Sequence, residues 1–153
     1  MTTKGRILAV DDDPSICKLV AVTLRNRGFD VTTAGNGMEA IAMASTQRPD
    51  LIILDIMMPH MDGKEVRKRL HADARTKDIP IIHLSAVGEF EGQLEAMDDG
   101  LVDFMTKPFK PSELGDAVEA FLDPNQRELL QRQRKAKTAK LRTIVDIMHR
   151  DHG

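Results

Sequence analysis

A run of four apolar residues, Leu51 to Leu54, places the strongest single constraint on how this 153-residue chain folds. The run does not alternate between apolar and polar residues, so a strand formed there has both of its faces covered. Strands of that kind are typical of parallel sheets with helices on either side. The rest of the sequence is therefore expected to alternate between strands and helices.

Four further short runs are apolar or rich in β-branched residues, and stretches with a helical pattern separate them. These runs are Ile7–Val10, Val31–Thr33, Ile79–Leu84 and Val102–Met105. Alternating strands and helices predict right-handed crossovers and helices on both faces of one sheet. The predicted fold is therefore an α/β, doubly wound, five-stranded parallel sheet.

Local signals indicate where the helices begin and end. Asp13 is placed to cap the first helix, Pro14 takes its first position, and Gly28 is expected to stop it. Two more helices open with possible capping pairs, Asn36 with Glu39 and Asp62 with Glu65. The last helix of the alternation has a wide apolar stripe formed by Leu114, Ala117, Val118, Phe121 and Leu122.

Composition excludes several classes of protein. Cys17 is the only cysteine, so neither an internal disulfide nor a cysteine-based zinc site can form. No apolar run approaches the roughly 18 residues that a membrane span needs, and the first residues do not resemble a secretory signal. We expect a cytoplasmic protein with no membrane partner.

Charge divides the chain into two parts. Residues 1–123 hold fourteen Lys and Arg against twenty-one acidic residues, a net charge of −7, whereas residues 124–153 hold eight against three, a net charge of +5. The predicted alternation of strands and helices ends at the same place. We therefore expect a domain at 1–123, followed by a basic helical extension at 124–153.

Chemically capable residues fall at the carboxyl ends of four of the predicted strands. Asp11 and Asp12 follow the first strand, Asp55 the third, Ser85 the fourth and Lys107 the fifth. Because ligands of doubly wound sheets bind at this edge, these side chains are expected to lie close together. Three clustered carboxylates remain ionised only around a cation, and a small set of oxygen ligands favours Mg²⁺. Asp55 could then act as a nucleophile toward phosphorus, with Lys107 and Ser85 contacting the phosphoryl oxygens.

Five motifs of the sequence resemble the receiver domain of bacterial two-component response regulators. They are Ile7-Leu-Ala-Val-Asp-Asp-Asp-Pro14, Pro49-Asp-Leu-Ile-Ile-Leu-Asp-Ile-Met-Met-Pro59, Met61-Asp-Gly63, Leu84-Ser-Ala86 and Thr106-Lys-Pro-Phe109. The resemblance covers about residues 5–122 and implies a flavodoxin-like sheet with strand order 2-1-3-4-5. It suggests a stand-alone receiver with a C-terminal helical extension.

The resemblance also implies roles for single residues. Asp55 would be the phosphoacceptor, and Asp11, Asp12, Asp55 and the Met57 backbone carbonyl would hold magnesium. Lys107 would contact the phosphoryl group from a strand end followed by a cis bond to Pro108. Ser85 would be the switch hydroxyl and Phe104 the aromatic residue that moves inward on activation. The phosphodonor would be a histidine kinase or a phosphotransfer protein, and the switching face would comprise the fourth helix, fifth strand and fifth helix.

Two other classes remain alternatives. An aspartyl-phosphate phosphohydrolase normally has a second Asp two residues after its nucleophile, where this chain has Met57. A pseudo-receiver that only binds partners would not need the complete set of Asp, Ser and Lys residues. The resemblance therefore favours a signalling switch over an enzyme that turns over a separate substrate.

The basic extension is predicted to form one helix over Gln126–Met148. Leu130, Leu141, Ile144 and Met148 lie on one seam, but Arg134 and Lys137 interrupt it, which argues against a sustained coiled coil. The helix could pack on its own domain, form a dimer or bind a protein partner. Nucleic acid is the least expected partner, because the basic run contains no aromatic residue.

Overall fold

The computed structural model of the chain describes residues 3–86 and 101–151. Five parallel strands form one sheet in the order β2-β1-β3-β4-β5. The strands are β1 (Arg6–Val10), β2 (Asp30–Ala34), β3 (Leu51–Asp55), β4 (Ile81–Ala86) and β5 (Val102–Lys107); the helices are α1 (Pro14–Arg25), α2 (Gly37–Gln47), α3 (Gly63–Ala72), α4 (Pro111–Leu122) and α5 (Pro124–Asp151). The predicted fold and strand order are confirmed, with an additional C-terminal helix. The helix expected between β4 and β5 falls within residues 87–100, outside the described residues.

Apolar side chains cover both faces of the sheet. One core cluster lies under α1 and α4 and includes Ile53, whereas the other lies under α2 and α3 and includes Ile52. All four residues of the run Leu51 to Leu54 are fully buried. Full burial of such a side chain stabilises the fold by about 1.5–3 kcal/mol. The run lacks polar residues because both faces of its strand are covered, as the sequence predicts.

Side-chain caps begin the first three helices where the sequence predicts them. The Asp13 carboxylate accepts a hydrogen bond from the Ser15 N–H at 2.9 Å. The other two caps reach one residue further, with Asn36 accepting from the Glu39 N–H and Asp62 from the Glu65 N–H. Helix α1 ends at Arg25, before the stop predicted at Gly28. Residues 26–28 form a hydrogen-bonded turn that ends at Gly28, whose positive φ of 95° ends the helical path.

The strands of the structure are longer at the site edge than predicted. Asp55, Ser85 and Lys107 lie within their strands instead of following them. The fourth strand begins at Ile81, two residues later than expected, because the N–H of Ile79 donates to a turn and Pro80 has no N–H to donate. The shifts leave the predicted sheet edge intact.

Helix α5 extends the predicted helix at both ends, and near its start it packs on the domain. The Arg127 guanidinium donates to the Phe121 carbonyl at 2.7 Å and lies over the Phe121 ring, and Leu130 packs against the core. Further along, Ile144, Ile147 and Met148 are exposed. The structure does not describe several side chains of the predicted seam, Leu141 among them. None of the helices in the described ranges is long and apolar enough to cross a membrane.

Candidate functional site

The sheet register brings the predicted site residues to one edge. β1 pairs with β3 up to Val10 and Leu54, so Asp11 and Asp12 emerge beside Asp55. On the other side of β3, Asp55 pairs with Leu84, and β4 in turn pairs with β5 through Ala86 and Lys107. Parallel pairing therefore places all five predicted side chains at the carboxyl ends of neighbouring strands.

Lys107 links two buried carboxylates at this edge. Its Nζ lies 2.8 Å from Asp11 Oδ2 and 3.3 Å from Asp55 Oδ1. The side chains of Asp11 and Asp55 are only 3% and 6% exposed. An ion pair shielded from water in this way is much stronger than one on the surface. The peptide bond between Lys107 and Pro108 is cis, as the family resemblance implies.

Asp11, Asp12 and Asp55 together could hold a metal ion. Each offers a carboxylate oxygen, and these oxygens lie within 4.8 Å of one another. Asp12 is exposed, which leaves the cluster open to solvent on one side. Hard divalent cations prefer oxygen ligands of this kind and retain water at open positions.

The electrostatics of the site leave Asp55 short of positive charge. Burial and the negative charge of Asp11 raise the pKa of Asp55 from 3.8 to about 6, although Lys107 and a backbone hydrogen bond from Met57 lower it. Burial also lowers the pKa of Lys107, but Asp11 and Asp55 outweigh that effect and raise it overall. One lysine thus does not neutralise the carboxylates. The residues present therefore fit a bound cation, which would lower the pKa of Asp55.

Gly63 allows the loop after β3 to fold closely against the site, a role that the sequence analysis missed. Its N–H donates to the Ile56 carbonyl at 2.8 Å, while the Ile56 N–H donates to the Leu84 carbonyl at 3.1 Å. A Cβ at position 63 would collide with the carbonyl oxygen of Asp55. The signal available in the sequence was a glycine directly after the helix cap, Asp62.

The remaining predicted residues lie around this centre. Ser85 is buried in β4, and Met57 follows β3 with its side chain 66% exposed. Phe104 lies in β5, partly buried, and its ring stacks on His83. The ligand role of the Met57 carbonyl and the switch roles of Ser85 and Phe104 stay predictions. The contact between His83 and Phe104 was not predicted, since nothing local in the sequence pairs these two residues.

Comparisons with known proteins agree with the fold. A family model described as "Response regulator receiver domain" matches residues 7–119. The chain is 44% identical over 117 residues to the DNA-binding dual master transcriptional regulator RpaA of Synechocystis, a match covering 76% of this chain and 48% of RpaA. It is 43% identical over 117 residues to the alkaline phosphatase synthesis transcriptional regulatory protein PhoP of Bacillus subtilis, with the same coverage.

Solved structures give the same result. The chemotaxis response regulator CheY4 of Vibrio cholerae has a TM-score of 0.72 and 36% identity, covering 78% of this chain and 99% of CheY4. The Francisella response regulator 1452 receiver domain has a TM-score of 0.70 and 33% identity, covering 78% and 97%. The chain spans about half the length of the curated relatives it matches. RpaA is named as DNA-binding, so the expectation that nucleic acid is an unlikely partner gains no support. The chain belongs to the response regulator receiver domain family.

Proposed function

We propose that this protein is a phosphorylation-dependent signalling switch in which Asp55 accepts a phosphoryl group from a histidine kinase or a phosphotransfer protein. The observation that carries the proposal is the Lys107 ammonium, which bridges the buried carboxylates of Asp11 and Asp55. A carboxylate with an adjacent fixed cation is suited to attack a phosphorus centre whose oxygens carry negative charge.

In the proposed reaction an Asp55 carboxylate oxygen attacks the phosphorus atom, and the bond from phosphorus to the leaving group breaks. The products are an acyl phosphate on Asp55 and the freed donor group, which takes up a proton from solvent when it is a histidine nitrogen. Lys107 stabilises the charge on the phosphoryl oxygens, and the Ser85 hydroxyl donates a hydrogen bond to one of them. Asp11, Asp12, Asp55 and the Met57 carbonyl would hold Mg²⁺, which supplies further positive charge beside the phosphoryl oxygens.

Several contacts must act together in the proposed switch. A hydrogen bond to a charged group contributes about 1.5–3 kcal/mol, whereas shifting a two-state equilibrium from 1:99 to 99:1 takes about 5.5 kcal/mol. Ser85 therefore cannot complete the switch alone. We propose that Ser85, Lys107 and inward movement of Phe104 together change the face that includes β5 and α4. The helix expected before β5 would complete this face, but it lies outside the described residues.

Acetyl phosphate provides a direct test, since it needs no cognate kinase. The full chain is incubated with acetyl phosphate and MgCl₂, and intact mass spectrometry detects one added phosphoryl group. We expect Asp55→Asn to abolish labelling and EDTA to suppress it in the unaltered protein. The matched control is Asp30→Asn, which should label normally. Asp30 is an exposed carboxylate at the start of β2, at the edge of the sheet away from the site. Labelling that persists in Asp55→Asn would contradict the proposal.

For the output we propose self-association through the distal part of α5. Ile144, Ile147 and Met148 are exposed there, and the +5 charge of residues 124–153 complements the −7 charge of residues 1–123 in a second copy. Sedimentation velocity with and without acetyl phosphate and MgCl₂ tests this. Ile147→Glu should weaken the association, whereas Ala139→Glu, an exposed position earlier on the helix and on a different face, adds the same charge and should not. A monomer under every condition would favour a partner protein as the ligand of α5.

A further inference from the structure

His83 is a fully buried polar residue to which the proposed reaction assigns no task. It lies in the middle of β4, two residues before Ser85, so both side chains are on the same face of the sheet. Its strand neighbours are Leu54 in β3 and Phe104 in β5. His83 therefore stands between the strand that carries Asp55 and the strand that carries the aromatic residue of the proposed switch.

The imidazole of His83 is bonded to the strand of the phosphoacceptor. Its Nδ1 lies 3.1 Å from the carbonyl oxygen of Leu54, the residue immediately before Asp55. Because a carbonyl only accepts hydrogen bonds, Nδ1 carries the proton in this contact. In the neutral ring Nε2 is then unprotonated, and within the described residues nothing hydrogen-bonds to it.

The surroundings of the ring keep it in this neutral form. Burial and the positive charge of Arg67 lower the pKa of His83 to about 4, although the hydrogen bond to Leu54 raises it. His71 and Lys64, which also lie on α3, lower the pKa further. The ring is therefore neutral near pH 7, and the Leu54 carbonyl selects the tautomer that carries its proton on Nδ1.

The face of the same ring contacts Phe104. The two ring centroids are 5.5 Å apart, with an angle of 28° between the ring planes. This is a stacked arrangement, which stabilises the pair beyond the burial of area alone. An aliphatic residue at position 83 would fill the space, but it would neither donate to Leu54 nor stack on Phe104.

We propose that His83 is a positioning residue that couples Asp55 to Phe104, with its Nδ1–H held by the Leu54 carbonyl and its ring face stacked on the switch aromatic. A displacement of the end of β3 when Asp55 is phosphorylated would reach the Phe104 ring through this one side chain. This inference rests on the proposed function and assigns a route for its conformational step.

Fluorine NMR with 4-fluorophenylalanine tests the coupling, since the chain has only five phenylalanines and Phe104→Leu assigns the relevant resonance. Spectra of the full chain are recorded with MgCl₂, before and during exposure to excess acetyl phosphate. Intact mass is measured on the same samples. The expected result for the unaltered protein is a shift of the Phe104 resonance that follows the phosphorylated fraction.

Two variants separate the hydrogen bond from the stacking. His83→Phe keeps an aromatic face but loses the donor, so the resting Phe104 resonance should stay near its original position while the phosphorylation-dependent shift is mostly lost. His83→Leu should change the resting position and lose the shift. Labelling rates in both should change by less than about twofold, because no group that contacts the reacting atoms is altered. Ile81→Val, buried on the same face of β4, is the control and should respond fully.

The outcomes distinguish this inference from the function on which it rests. Absence of labelling in the unaltered protein would overturn the proposed function itself. Normal labelling with a full Phe104 shift in His83→Leu or His83→Phe would overturn the coupling alone. If both variants fail to fold, ring ¹⁵N shifts of the unaltered protein decide: a protonated Nδ1 that responds to phosphorylation supports the coupling, and a protonated Nε2 or no response overturns it.

Discussion

Replacing Asp55 by Asn should stabilise the metal-free protein while removing the proposed phosphoacceptor. Burial and the charge of Asp11 raise the pKa of Asp55 from 3.8 to about 6 in the folded state. A carboxyl group with a higher pKa in the folded state than in the unfolded state weakens folding once it is ionised. A difference of about 2 pKa units corresponds to about 3 kcal/mol, at roughly 1.36 kcal/mol per unit. Asn is neutral and nearly the same size, so Asp55→Asn should recover most of this amount above pH 6.

The pH dependence of the difference gives the sharper test. Below pH 3.8 the Asp55 carboxyl is protonated in both states, so the unaltered protein and the variant should be about equally stable. The gap should widen as the pH rises from 3.8 to 6 and stay constant above that range. His83 acts in the opposite direction: its folded pKa of about 4 lies below its ordinary 6.5, so both proteins lose stability as the pH falls between these values. That contribution cancels in the difference.

Urea unfolding followed by circular dichroism, in EDTA between pH 4.5 and 8, measures this gap. Asp146→Asn, an exposed carboxylate on α5, is the control and should change stability by no more than about 0.5 kcal/mol. Adding Mg²⁺ should stabilise the unaltered protein and narrow the gap, by about 2.7 kcal/mol at 100 times the dissociation constant. The reasoning is refuted if Asp55→Asn is less stable than the unaltered protein at pH 7.5 in EDTA, or if the gap does not change with pH.

Further substitutions test packing and hydrogen-bond contacts. Gly63→Ala should lower the free energy of unfolding by about 2 kcal/mol or more, because its Cβ meets backbone that cannot move aside; urea unfolding measures this. Gly115→Ala should destabilise the protein when Arg27 is present but stabilise it by about 1 kcal/mol in an Arg27→Ala background, where helix propensity alone acts; a double-mutant cycle reads the coupling. Arg127→Ala should speed amide exchange along α5 and leave exchange in the sheet unchanged, because the guanidinium joins that helix to the Phe121 carbonyl.

The sheet and its reactive edge were predictable because their signals are local. The uninterrupted apolar run from Leu51 to Leu54 identifies a strand covered on both faces, and the geometry of parallel strands then brings their carboxyl ends together. Asp55 and Lys107 both lie at those ends, so their side chains come into contact. The caps at Asp13, Asn36 and Asp62 were equally accessible, since each bonds to an N–H two or three residues away.

Contacts between distant side chains were not predictable in this way. The stacking of His83 on Phe104 depends on strand register, and the space that Gly63 leaves for the Asp55 carbonyl depends on how one loop lies against β3. Arg27 gives a third example, since it crosses to α4 and bonds the Ser112 carbonyl and the Asp116 carboxylate. Such contacts join elements far apart in the sequence, and no periodic pattern in one amino-acid sequence predicts them.

The charge balance of the site indicates that the proposed switch depends more on new hydrogen bonds than on a change in net charge. Asp11, Asp12, Asp55 and Lys107 carry a formal net charge of −2, which one divalent cation would balance. A phosphoryl group adds about −1.5 to −2, but forming the acyl phosphate removes the negative charge of the Asp55 carboxylate. The net charge of the site therefore changes by only about one unit. The larger change is the addition of three acceptor oxygens on the phosphoryl group. Donors that can turn or move toward those oxygens, Ser85 above all, are consequently better placed than the overall field to respond to the phosphoryl group, and the proposed contact of His83 with Phe104 would pass that response on.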